Sequence, residues 1–148
     1  MANLPSACLN TTLTTPEREV WLIDALECDD GDEFLLTFEQ SDDRWRQGVW
    51  LAVDGSLTIA GVNSPQAVLW HDTAPEATAI SVRSARDGWL RLYNIWDSGR
   101  GIKDHESQSA TSGMLREPVV GGHRYRCATI GYDPEFDALT FTLVRRTD

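Results

Sequence analysis

Along most of the chain, apolar and polar positions alternate over short stretches broken by Gly, Asp, Asn and Pro, the period-two signature of β-strands rather than helices. The clearest alternation closes the sequence, where Leu139, Phe141 and Leu143 interleave with Thr140, Thr142 and Val144 as a half-buried strand. Residues 34–38 form another short strand, followed by a polar turn at Ser41-Asp42-Asp43. Residues 48–60 surround Asp54-Gly55, the dipeptide favoured in a two-residue type I′ hairpin because both central residues need positive φ. That turn sets Trp50 opposite Ile59 and Ala52 opposite Leu57, and predicts that Trp50, Ala52, Leu57 and Ile59 share a core face.

Asp87-Gly88 repeats the device, predicting Val82 opposite Tyr93 and Ile80 opposite Ile95. Both faces of residues 89–96 are apolar, as in a strand covered on both sides. A third hairpin turns at Gly121-Gly122, pairing Val120 with His123 and Glu117 with Arg126. Pro118, which lacks an N–H, pushes residues 114–120 toward a sheet edge. One segment reads differently. Thr15-Pro16-Glu17-Arg18-Glu19 resembles a helix start with a capping Thr, a first-turn Pro and acids at the positive end of the dipole. It predicts a helix over roughly 16–28, although the near-continuous apolar run from Val20 to Leu26 also suits a strand. The expected fold is mostly β: an antiparallel β-sandwich or jelly-roll-like barrel of about eight strands with one short N-terminal helix, in a single domain spanning 1–148.

Composition narrows the classes of function. Hydrophobic residues make up 41% and charged residues 24%, ordinary for a globular domain, and no stretch approaches the roughly 18 apolar residues of a membrane span. No Lys or Arg precedes Arg18 and no apolar h-region follows the start, so no signal peptide is expected. Cys8, Cys28 and Cys127 are odd in number and isolated, which argues for a reducing compartment and a cytoplasmic protein. The net charge of -10 opposes general binding to nucleic acid, and no membrane contact is expected. The charge is uneven: residues 1–82 carry fourteen acids against three Arg, while residues 83–148 are nearly balanced and include the single lysine, Lys103.

Candidate chemistry concentrates in residues 97–113, a long polar loop between strands; such loops inside compact domains are commonly functional or disordered. It holds Asp97, Arg100, Lys103, His105 and Glu106, with Trp96 and Met114 at its ends. Gly99 and Gly101 make no phosphate fingerprint, since the third glycine and a following apolar helix are missing. His71, His105 and His123 lack metal-ligand spacing, and Asp29-Asp30-Gly31-Asp32-Glu33 lacks the alternating ligands of a calcium loop, so neither metal nor cofactor is expected. His71 and His123 read as surface histidines. No GxSxG elbow occurs, and Cys127 reads as a buried structural thiol. Of six tryptophans, Trp50 and Trp70 read as core, and Trp45, between Arg44 and Arg46, as an exposed anchor.

These features favour a small, soluble, non-enzymatic binding or interaction module. Its contact surface would be Trp96, Asp97, Arg100, Lys103, His105, Glu106 and Trp45, and its partner a small molecule or a protein; a homo-oligomer is compatible. One alternative is a hydrolase or proton-transfer enzyme with its polar site on the same loop. Another is an acidic neutralising partner of a basic protein, drawn from the charge of residues 1–82.

Overall fold

The computed structural model describes residues 7–42, 44–99, 106–107, 109, 111–129 and 135–146. Among them lie nine strands: β1 (Cys8–Leu9), β2 (Trp21–Glu27), β3 (Glu33–Ser41), β4 (Arg46–Ile59), β5 (Val62–Trp70), β6 (Ala77–Asp97), β7 (Gly113–Val119), β8 (Gly122–Ala128) and β9 (Leu139–Arg145). All pair antiparallel in one sheet of order β1-β2-β7-β8-β9-β3-β6-β4-β5, and β2 also pairs with β6. That last ladder closes a six-stranded ring, β2-β7-β8-β9-β3-β6, so the architecture is a barrel with additional strands and not two stacked sheets. Closure joins the two ends of the ring, which an open sheet would leave as free edges.

β6 makes the closure. One edge carries β4 along its length, while the other pairs with β3 through Ala77–Ser81 and with β2 through Trp89–Leu92. Between those two contacts the strand bends at Asp87-Gly88, where Gly88 has φ 78° and Cys28 N donates to its carbonyl over 2.9 Å. The expected hairpin is therefore a bend within one continuous strand; Val82 pairs with Leu57 and Tyr93 with Trp50 instead. The reading of residues 89–96 as central holds, since Leu90, Leu92, Ile95 and Trp96 are all buried.

The same correction applies to Asp54-Gly55. β4 runs through it with an irregular register at Val53/Gly55, and the chain turns at Ala60-Gly61, with φ 52° and 80°. Both are positive, as a type I′ turn requires, and Ile59 pairs with Val62 across it. Gly55 serves a different need. A Cβ there would lie 2.2 Å from the Ser84 carbonyl oxygen, so the residue is small because β6 comes too close. Moving the turn changes which residues face inward. Val49, Leu51, Val53 and Leu57 are buried, while Trp50 lies half-buried on the other face, stacked on Tyr93 at 4.5 Å. Trp70 is also half-buried, with the Arg46 guanidinium 4.4 Å over its ring.

No helix forms among the described residues. Pro16-Glu17 is a two-residue turn closed by Thr15 and Arg18, whose N–H and carbonyl groups exchange bonds of 2.9 and 3.2 Å. Proline's fixed φ suits the second position of a turn as well as a helix start, and the run that follows becomes β2, pairing with β1 and β7 at its start and with β6 through Asp24–Glu27. The third hairpin turns at Val120-Gly121, one residue before the expected site, with Pro118 opposite His123. β7 meets β2 only at Met114, which leaves Pro118 on a free edge as expected. Leu139, Phe141 and Leu143 are fully buried beside Leu36, Tyr125 and Leu92 in one core inside the ring.

Candidate functional site

The described ones among the expected contact residues, Trp45, Trp96, Asp97 and Glu106, do not gather on one exposed loop. Trp96 is 1% exposed and belongs to the interior. Glu106 is buried; its carboxylate accepts from Ser98 N at 2.7 Å and Ser98 Oγ at 2.6 Å, and its backbone bridges that of Trp96. Glu106 thus anchors the loop's return to β6 and is not offered to a partner. Farther on, Asn10 Nδ2 donates to the Ser112 carbonyl at 2.8 Å, tying the end of the segment to the N-terminal turn. Arg100, Lys103 and His105 lie outside the described residues.

Asp97 and Trp45 do meet, in a cleft of about 430 Å³ where the start of β4, the residues after β5 and the end of β6 converge. Sheet register assembles it: Arg46 pairs with Asp97 and Gln47 with Trp96, while His71 N donates to the Gln47 carbonyl at 2.8 Å. Arg46 Nε lies 2.9 and 3.0 Å from the two Asp72 oxygens, with its guanidinium laid on Trp70. Arg44 covers the half-buried Trp45 at 4.6 Å, so that indole is not the free anchor expected of it. The His71 ring meets Phe38 edge-on at 5.5 Å, which makes it a half-buried wall of the cleft and not a surface histidine.

Gln47, on the cleft's floor, is the residue that sequence reasoning missed. It is 2% exposed, yet neither its Nε2 nor its Oε1 has a hydrogen-bond partner among the described residues. Trp96, its cross-strand neighbour on the same face, also has an unpartnered Nε1. Cross-strand neighbours thus bury two donor atoms and an acceptor with no partner among the described residues. Buried polar groups in native proteins are overwhelmingly paired, with protein or with something else, and each orphan costs roughly 1–3 kcal/mol. A lone Gln beside an Arg carries no motif, which is why no pattern could have found it.

The remaining reactive groups are quiet. Cys127 is fully buried and burial drives its thiol pKa well up; Cys28 is pushed up to about 11 by burial and then by the Asp32 charge. Both thiols are protonated at neutral pH, matching the structural role read for Cys127. The acidic turn at residues 29–33 is committed to the fold. Asp32 is ion-paired with Arg145, Asp30 Oδ1 accepts from Ala85 N at 2.9 Å, and Glu33 pairs with Arg146 at 2.5 Å. Among the described residues no three His, Cys, Asp or Glu side chains could jointly hold a metal ion, and no helix is long and apolar enough to cross a membrane.

Fold and cleft together define a closed six-stranded antiparallel barrel with flanking strands and a polar cleft at the β4–β6 junction. No protein-family model, no curated protein and no solved structure matches the chain.

Proposed function

We propose that the protein is a small non-enzymatic binding module that takes a polar small molecule in the Trp45–Gln47–His71–Asp97 cleft. The observation that carries this reading is the unpartnered Gln47 carboxamide, whose cross-strand neighbour Trp96 has an unpartnered indole N–H as well. A group presenting adjacent donor and acceptor atoms, such as a lactam or primary carboxamide, answers a glutamine side chain atom for atom. Gln47 lines the cleft, so its carboxamide is the polar group that a ligand there would meet. His71 and Trp45 then provide flat walls, and Asp97 and the Arg46–Asp72 pair a polar rim. The cleft's size suits a compact ligand, since small-molecule sites run from about 300 Å³ upward.

The test is a titration of isotope-labelled protein with 2-pyridone and nicotinamide, following the Gln47 side-chain NH2 and Trp96 Nε1–H resonances. Both should move saturably, and Gln47→Met should abolish the response. Probes that leave these resonances still, or that bind the Gln47→Met protein equally well, would overturn the proposal.

A further inference from the structure

A second cleft, of about 440 Å³, lies where the β7–β8 hairpin meets the start of β2, and Arg116 on its wall is ion-paired with the buried Asp24 behind it. Asp24 is 1% exposed although charged. Its Oδ1 accepts from Arg116 Nη1 at 2.8 Å and its Oδ2 from the buried Tyr125 hydroxyl at 2.6 Å. Burial, and then the Asp24 charge, drives the Tyr125 phenol pKa far up, so this hydroxyl stays a donor. The guanidinium of Arg116 is also laid over Trp21, 4.4 Å from the ring centre.

Arg116 is thus clamped between an indole and a carboxylate, with one nitrogen committed to Asp24. Nε and Nη2 have no protein partner among the described residues, and the side chain, 30% exposed, lines the cleft. A fork held in this way has already lost most of the freedom that binding would otherwise cost. His123 stands beside it, its Nδ1 buried and without a partner among the described residues and its ring 6.0 Å from that of Tyr125. Burial, then the Arg116 charge, lowers its pKa, leaving a neutral imidazole. Apolar surface comes from Trp21, Leu115 and Pro118. Glu17 and Glu19 also stand at the rim, and Glu117 is drawn toward Arg124 at 3.5 Å.

We propose that this cleft binds a small organic monocarboxylate with an apolar body, the carboxylate on the free edge of Arg116 and the body against Trp21, Leu115 and Pro118. One guanidinium edge matches the two oxygens of a carboxylate in a plane. A dianion such as phosphate fits worse: of the other two guanidinium groups on the lining, Arg18 lies over Phe136 and Arg126 donates to the Glu135 carbonyl, while Glu17, Glu19, Glu117 and the net charge of -10 oppose a second negative charge.

The experiment titrates the full-length protein with benzoate, benzamide and inorganic phosphate, following the Trp21 and His123 resonances. Benzoate should bind saturably at millimolar concentration, with benzamide and phosphate at least about tenfold weaker. Arg116→Lys, which keeps a cation against Asp24 but loses the fork, should weaken benzoate about tenfold while phosphate changes little. Should that variant fail to fold, Pro118→Glu, at an exposed edge position, puts a negative charge on the rim and should weaken benzoate comparably. Benzamide binding as well as benzoate, phosphate binding better than either, or benzoate leaving Trp21 and His123 unmoved would each overturn the assignment. Gln47→Met should leave benzoate binding unchanged, which separates this cleft from the first.

Discussion

Replacing Gln47 with Met tests the central observation directly. Methionine keeps the length and flexibility of the side chain and removes both unpartnered polar atoms from a position that is 2% exposed. Burying an unsatisfied carboxamide costs about 1–3 kcal/mol, so the substitution should raise stability by that order. Imperfect packing of the bulkier sulfur beside Trp96 offsets part of it, and about 1–2 kcal/mol is the expected net gain. At this chain length each kcal/mol moves the midpoint by about 2–4 °C, so Tm should rise by several degrees. Urea unfolding followed by tryptophan fluorescence measures the change, with an unaltered m-value showing that the unfolded state is the same. The variant should be more stable and unable to bind, the trade expected where function keeps a group the fold would discard. A loss of more than about 1 kcal/mol would mean that the carboxamide is satisfied in the free protein, and the argument for the cleft would fall with it.

Three further outcomes follow from the geometry. Asp24→Ala strands the buried Tyr125 hydroxyl and the Arg116 cation; it should cost about 3 kcal/mol by denaturant titration, the low end for a broken buried pair because Arg116 is partly exposed. Gly55→Val would set a Cβ 2.2 Å from the Ser84 carbonyl oxygen and should cost about 1–3 kcal/mol; equal stability would refute the close approach of β4 and β6. Ala60→Asn replaces an alanine at φ 52° with a residue that tolerates that region, and should raise stability by about 0.5–1 kcal/mol in the same assay.

Much of the architecture was readable from residues close in sequence. The alternation of residues 139–144 assigned β9 and its inner face, Pro118 marked a free edge, and both apolar faces of residues 89–96 marked a central strand. These follow from local rules: side chains alternate every residue, and proline lacks a donor wherever it sits. Glycine turns were less decisive. Asp-Gly supplies the same backbone freedom to a hairpin turn and to a bend in a long strand, so Asp54-Gly55 and Asp87-Gly88 read as turns until the pairing of β4 with β6 along their length made them irregularities.

The clefts belong wholly to the tertiary structure. Asp24 and Tyr125 stand 101 residues apart in sequence and 2.6 Å apart in space, and Gln47 meets Trp96 only because one rung of a ladder joins them. Neither encounter leaves a local pattern. By itself the sequence determined that this acidic chain makes a β-rich domain with solitary thiols, because composition and period-two alternation act through each residue's immediate neighbours. Closure of the ring, burial of Asp24 and the stranding of the Gln47 carboxamide were decided by strand register, which depends on all the pairings at once.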